Sequence, residues 1–261
     1  MPVKSTFKDF NYRDENERKW RVQIVYQDEQ VLAVNKPAGL RVIPDRFQAD
    51  LPNLRDLLLQ RDRKTPNADG SSIMVIHRID AGTSGLVLFG RTAESHRILS
   101  MAFENNQVKK SYLAVVRGKV SPPADVIDLP IAAARRGNMK IDPDGLAAIT
   151  RYEVMEQFRN YALLRVMPES GRTHQIRVHL QAVGYPLAVD PRYTHNRQLT
   201  ISQIKYHKNN LEEEAGLISR LTLHAWKLEV DHPNRQKPLQ LEAGLPKDFK
   251  GLIRALQKYN K

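Results

Sequence analysis

The chain contains no cysteine, which excludes disulfides, thiolate-held zinc, iron–sulfur clusters and a cysteine nucleophile. It also lacks a long apolar run. No stretch approaches the roughly 20 apolar residues that cross a bilayer, and Met1 to Trp20 is polar and mixed in charge, without the apolar centre of a signal peptide. These absences predict a soluble cytoplasmic protein without membrane contact. Acid is scarce relative to base: Lys and Arg total 41 against 29 Asp and Glu, a net charge of +12 with a pI near 9.9. A polyanion such as nucleic acid is the partner class this charge favours.

Several signatures of other chemistries are missing as well. There is no Gly-x-Ser-x-Gly elbow and no Walker loop, and Gly82-Thr83-Ser84-Gly85 is too short for a dinucleotide fingerprint. His174 and His179 lie five positions apart, about 140° around a helix, and no carboxylate completes a metal set. Neither a metal nor a cofactor is expected.

With 41% hydrophobic residues in 261, the chain carries enough apolar surface for a sizeable core. Residues 1–20 read as a loosely held extension. The fold proper then starts with a hairpin, Arg21 to Tyr26 and Val31 to Val34 around the polar turn Gln27 to Gln30. A short helix is predicted over 53–63, with Leu54, Leu57 and Leu58 on one face, and a second after Thr92 as cap, ending near Asn105-Asn106. Tyr112 to Val116 reads as a strand, 134–146 as a basic mobile loop, and 148–155 with 161–167 as a strand pair.

Gly171-Arg172-Thr173 opens a helix whose buried stripe is Ile176, Leu180 and Val183, its other side polar and basic, with Gly184 at its end. Residues 194–220 read as a surface excursion, followed by a strand from Leu221 to Val230. A terminal helix is capped by Asp248, with Phe249, Leu252, Ile253 and Leu256 inward. Strands outnumber helices without a βαβ alternation. The expected class is α+β with a mixed, largely antiparallel central sheet, as one compact domain over 21–261 behind the extension.

Chemistry concentrates in two stretches. His77-Arg78-Ile79-Asp80-Ala81-Gly82-Thr83-Ser84-Gly85 sets charge and hydroxyls between two apolar runs, Ile73 to Ile76 and Leu86 to Phe89. A loop emerging from buried strands holds its side chains on rigid supports. Asp80 there suits a nucleophile or general base, although an Asp beside Gly is also an ordinary turn-former. Thr83 and Ser84 could meet a phosphate or only their own turn's amides, and Arg78 could stack on a base or sit in a surface ion pair. In the second stretch, Gly171-Arg172-Thr173-His174-Gln175-Ile176-Arg177, His174 and Arg177 share a helical face. Such an Arg can either hold a carboxylate ionised or belong to a solvated basic face. The helix start at Arg172 and Thr173 could receive a phosphate.

Taken in order, these motifs resemble the RluA-type family of RNA pseudouridine synthases over residues 21–250. Val34-Asn35-Lys36-Pro37-Ala38-Gly39-Leu40 is similar to the family's first motif, and His77 to Leu86 to the motif bearing its catalytic aspartate. Lys110-Ser111-Tyr112 with Gly118 resembles the tyrosine motif. Gly171 to Leu180, with Gly184, Pro186, Asp190 and Tyr193, resembles the third motif, and Leu223-His224-Ala225 with His232-Pro233 the C-terminal strand. Ile79 replaces the usual leucine, Ser170 a threonine, and Ala188-Val189-Asp190 an Ile-Gly-Asp run.

The resemblance implies a pseudouridine synthase fold and isomerisation of specific uridines in structured tRNA or rRNA, without cofactor or metal. It implies that Asp80 is the catalytic carboxylate, that Tyr112 packs on the target ring, that Arg177 pairs with Asp80, and that Arg78 holds the extruded nucleotide out of its stack. RNA contact then falls to Arg78, His77, Thr83, Lys36, Arg172 and His174. Further phosphate contacts are expected from Arg135, Arg136 and Lys140, from Arg61, Arg63 and Lys64, and from Lys205 to Lys208. Many relatives carry an N-terminal S4 domain; with only about 20 residues before the first strand, none is expected here. A monomer is expected. Two other classes stay open from the residues: a non-enzymatic RNA-binding or RNA-chaperone protein on the same fold, which would tolerate loss of Asp80, and a metal-dependent ribonuclease, whose ligand cluster cannot be assembled from this sequence.

Overall fold

Asp28 fixes the hairpin turn between Gln27 and Val31. Its Oδ1 accepts from the amides of Gln30 and Val31, both at 2.9 Å, and its Oδ2 accepts from Tyr26 Oη at 2.6 Å, so one carboxylate satisfies a turn and its flank. The computed structural model describes residues 9–14, 17–45, 50–63, 73–205, 214–235 and 237–261. Through these run β1 (Phe10–Arg13), β2 (Lys19–Gln27), β3 (Val31–Lys36), α1 (Leu54–Arg63), β4 (Met74–Val75), β5 (Ser84–Gly90) and α2 (Ala93–Glu104). They are followed by β6 (Lys109–Arg117), β7 (Ala124–Asp128), β8 (Ile131–Ala133), β9 (Met139–Ile141), β10 (Ile149–Gln157) and β11 (Tyr161–Pro168). The chain ends with α3 (Gln175–Ala182), α4 (Ile201–Lys205), β12 (Leu223–Asp231), β13 (Pro238–Glu242) and α5 (Lys247–Tyr259). The class is α+β with mostly antiparallel sheet, as the sequence predicts.

The chain forms two compact units, one from Met1–Lys109 with Ala225–Gly244 and one from Lys110–His224 with Leu245–Lys261. In the first, β1, β2, β3 and β5 pair antiparallel in that order, β4 also pairs β5, and β13 pairs β12. Every residue of β3 and β5 is buried, the pattern of strands covered on both faces. Trp20, Val22, Leu32, Val34, Leu54, Leu58, Val87 and Phe89 pack on one side, and Val31, Ala33, Leu88, Leu99, Leu228 and Leu241 on the other. The leucine face predicted for α1 is therefore real. Thr92 caps α2 through a reciprocal pair with Ser95, its Oγ1 accepting from the Ser95 amide at 3.1 Å. The stretch read as a loose extension contributes a strand, because Phe10 to Arg13 pair with Val22 to Lys19.

In the second unit β6, β11, β10 and β7 pair antiparallel, with Leu164, Val166, Ile176, Leu180, Leu187 and Leu223 in the core. Three expectations change here. Residues 134–146 are no open loop: β8 and β9 pair antiparallel around a 3-10 turn at Arg135–Gly137, where Arg136 and Gly137 take φ of 59° and 71°. Arg192 Nη1 holds that turn by donating to Gly137 O at 2.8 Å. The described parts of the excursion, 194–205 and 214–220, are anchored, since Leu199, Ile204 and Ile218 are buried. Asp248 does not cap α5 from outside; it sits in the first turn, and Arg220 grips both its oxygens at 2.8 Å. Lys64 and the stretch Tyr206 to Lys208, with the side chain of Arg63, lie outside the described residues.

Candidate active site

In the first unit, the turn carrying Asp80 is fastened from below by Lys36. Lys36 ends β3 opposite Gly85, the second residue of β5, and it is fully buried. A buried ammonium costs several kcal/mol unless its protons are satisfied. Here Nζ donates to Pro37 O at 3.1 Å, Leu40 O at 2.6 Å and Ala81 O at 3.0 Å. The Gly39 amide donates to the same Ala81 carbonyl at 2.8 Å, and the Thr83 amide closes the turn on Asp80 O at 3.0 Å. The first motif thus acts as the mount of the second.

Each side chain of the loop then takes its direction. Ile76 and Ile79 pack against the two core clusters. His77 points inward: its Nε2 accepts from the Leu88 amide at 3.0 Å, and its ring stacks on Phe103 at 4.4 Å and 14°. Arg78 points outward, exposed, and its guanidinium makes no hydrogen bond or ion pair with any described residue. Asp80 is half-buried at the rim. Thr83 is 1% exposed, and its Oγ1 has no hydrogen-bond partner among the described residues. Gly85, at φ +115°, passes so close to β12 that a Cβ would stand 2.1 Å from Ala225 O, so no other residue fits there. Of the residues given to RNA by the sequence, Arg78 is thus presented to solvent, while Lys36, His77 and Thr83 are turned into the fold.

In the second unit, Gln175 ties down the start of α3. Its Oε1 accepts from the Arg172 amide at 2.9 Å and from Ser170 Oγ at 2.8 Å, while its Nε2 donates to Ile149 O at 2.9 Å and Thr150 Oγ1 at 3.0 Å. His174 precedes the helix in the left-handed region, φ 54°, with Nδ1 2.8 Å from Tyr193 Oη. The polar, basic side expected of α3 is not solvated. Every residue from Gln175 to Leu180 is buried; Gln175, Arg177 and His179 Nε2 find partners within the fold, while His179 Nδ1 has none among the described residues.

Arg177 Nε and Nη2 meet the two oxygens of Asp190 at 2.8 and 2.9 Å, a bidentate pair with side chains 6% and 2% exposed. The guanidinium also lies 4.9 Å over the Tyr193 ring. Burial raises the Tyr193 phenol above its ordinary value. His179 Nε2 lies 2.9 Å from Leu129 O, and burial lowers its titration. Arg172 stays exposed, its Nε on Ala147 O at 3.2 Å. Tyr112, on β6 opposite Val166, is half-buried against the core. Two positions on that strand away, burial pulls the Lys110 ammonium down to about 8. Sequence reasoning placed Asp190 in the third motif without giving it this role, and overlooked Gln175 as a fastener; the signal for both was their place within one motif.

Among the described residues, no group of three His, Asp or Glu is placed to hold a metal, and no helix is long and apolar enough to cross a membrane. The RNA pseudouridylate synthase profile matches residues 30–182, more than half of the chain, and the protein belongs to that family. Over 239 residues it is 35% identical to the ribosomal large subunit pseudouridine synthase D of Pseudomonas aeruginosa, covering 91% of this chain and 72% of that one. It is 33% identical over 251 residues to the protein of the same name from Vibrio cholerae, at 94% and 75% coverage. Human RNA Pseudouridylate Synthase Domain Containing 4 has the same fold, with a TM-score of 0.73 at 25% identity over 90% of this chain and 92% of that one. The protein is accordingly an isomerase that converts uridine to pseudouridine in RNA.

Proposed function

We propose that the substrate is ribosomal RNA of the large subunit, modified in the cytoplasm by a monomer with Asp80 as the catalytic carboxylate. The observation that carries the Asp80 role is its mounting: a carboxylate half-open to solvent, on a turn whose backbone is held by a buried ammonium and the Gly39 amide. Such rigidity suits a group that must meet one ribose atom within a few tenths of an ångström. The large-subunit RNA rests on the named activity of the relatives. The +12 charge suits either a ribosomal or a transfer RNA.

The reaction breaks the C1′–N1 bond of a uridine, turns the base and rejoins it through C5, so that no atom is gained or lost. Asp80 either attacks C1′ or takes the 2′ proton, and both routes need its charge. Family resemblance assigns Tyr112 and Arg177 to the same reaction, Tyr112 at the target ring. Arg78, exposed and without a hydrogen bond or ion pair to any described residue, takes the space of the extruded nucleotide. Lys36, His77 and Thr83 act as positioning residues of the loop, and Arg172 and His174 as RNA contacts at the start of α3. The test is a pseudouridine map of ribosomal RNA from cells with the protein, without it, and with Asp80→Asn in its place. One or more large-subunit sites should be lost in both of the latter. Intact maps without the protein would overturn the substrate, and sites retained in Asp80→Asn would overturn the carboxylate.

A further inference from the structure

A cavity of about 240 Å³ opens in the first unit against the back of the Asp80 turn. Its walls include Asp14, Arg18 and Trp20 from the β1–β2 hairpin, and Gly39, Arg41 and Ala81 from the two motif loops. Ala81 is the residue after Asp80, so the cavity and the carboxylate share one peptide. The walls are rich in donors. Arg18 is exposed and its guanidinium makes no bond with any described residue. Arg41 contributes a second guanidinium, shared with Asp45 at 3.1 Å.

Trp20 supplies a third donor. Its indole is 8% exposed, stacked on Tyr12 at 5.8 Å and 11°, yet Nε1 has no hydrogen-bond partner among the described residues. Nε1 faces Gly39, where a Cβ would stand 3.4 Å from it and where φ is +88°, so glycine keeps the approach to that donor open. Against these three donors stands the Asp14 carboxylate, whose Oδ1 is already turned to the Arg18 amide at 2.8 Å.

We propose that this cavity binds a backbone phosphodiester of the substrate RNA, that of a nucleotide neighbouring the target uridine, with Arg18 and Trp20 Nε1 as donors and Arg41 behind them. The assignment to a neighbouring nucleotide rests on Asp80 being the catalytic carboxylate. The N-terminal hairpin, not only the motif loops, then helps to choose which uridine is presented, because splayed single-stranded nucleotides are recognised one pocket at a time.

The test uses the full chain, a labelled transcript of large-subunit ribosomal RNA and four variants: Arg18→Ala, Arg18→Lys, Trp20→Phe and Asp80→Asn. Arg18→Ala should raise Kd about tenfold, as loss of a charge-assisted bond does. It should also flatten the slope of log K against log salt by about 0.7, the value for one single-strand phosphate. Arg18→Lys should restore that slope, and Trp20→Phe should raise Kd severalfold while leaving the slope as it was. An unchanged Kd in Arg18→Ala, or a raised Kd with an unchanged slope, would overturn the phosphate site. Asp80→Asn keeps the two readings apart: it should bind like the unaltered protein and turn nothing over. Turnover by Asp80→Asn would remove the catalytic reading on which the neighbouring-nucleotide assignment depends.

Discussion

The Asp80 turn and the Arg177 helix are both polar stretches set in apolar surroundings, and they are anchored in opposite ways. The turn is held by its backbone: the carbonyl of Ala81 receives the Lys36 ammonium and the Gly39 amide, which leaves Arg78 exposed and Asp80 half-buried. On α3 the side chains themselves are held, Arg177 by Asp190 and Gln175 by Ile149 and Thr150. Backbone anchoring leaves functional groups available to a substrate. Side-chain anchoring fixes a charge in place, and removing its partner strands that charge in the interior. Substitution should therefore damage activity in the first region and folding in the second.

The largest expected effect is on the turn. Asp80→Asn conserves size and keeps the backbone bonds, so the folded protein and its RNA affinity should persist while the isomerisation rate falls by about 10²–10⁴ or more. Single-turnover assays on purified protein read this directly, and a rate within tenfold of the unaltered enzyme would sink the assignment. On the helix the complementary change is Asp190→Ala. It leaves the Arg177 guanidinium, 6% exposed, without its carboxylate, and should cost about 3–5 kcal/mol in urea unfolding. A loss below about 1 kcal/mol would mean that the pair is no more than a surface contact, and the contrast between the two regions would collapse.

A smaller effect is expected at Arg78. Since its guanidinium makes no hydrogen bond or ion pair with any described residue, Arg78→Ala should leave the unfolding midpoint unchanged and lower turnover on structured RNA about tenfold, more than it weakens binding. Equal turnover on a structured RNA and on a short single strand, in both proteins, would remove the extrusion role and leave Arg78 as one more phosphate contact.

These two regions also differ in how far they could be read from sequence. The turn was legible because its flanks are apolar and its punctuation local: Gly82, Gly85 and the β-strand pattern of Leu86 to Phe89 mark where the strand ends and the loop begins. What could not be read was direction. Nothing in the spacing of His77 tells that its ring turns in to the Leu88 amide and Phe103 while its neighbour turns out. The apolar stripe of α3 was correct at Ile176 and Leu180, but a stripe says nothing of the opposite face when distant residues cover it. Asp190 satisfies Arg177 across 13 positions, Leu129 O satisfies His179 across 50, and such pairings follow from tertiary structure alone. Asp248 failed as a cap for the same reason, since Arg220, 28 positions away, claims its carboxylate.

The finest test of side-chain anchoring is Lys110, whose buried ammonium donates to the Ser170 carbonyl at 3.1 Å. Burial brings its titration from 10.5 down to about 8. The unfolded chain therefore keeps the proton up to pH 10.5 while the folded protein releases it from about 8, so between those values the unfolded state binds more protons and stability rises with pH. Below pH 8 both states are charged and the whole cost of burying the ammonium is present. Lys110→Met removes that cost. The variant should be the more stable protein at pH 7, and its advantage should shrink steadily as pH approaches about 10, as read from urea midpoints of the two proteins at matched pH. Parallel curves would mean that Lys110 stays solvated and charged throughout, which would take it out of the set of polar groups that the second unit holds in its interior.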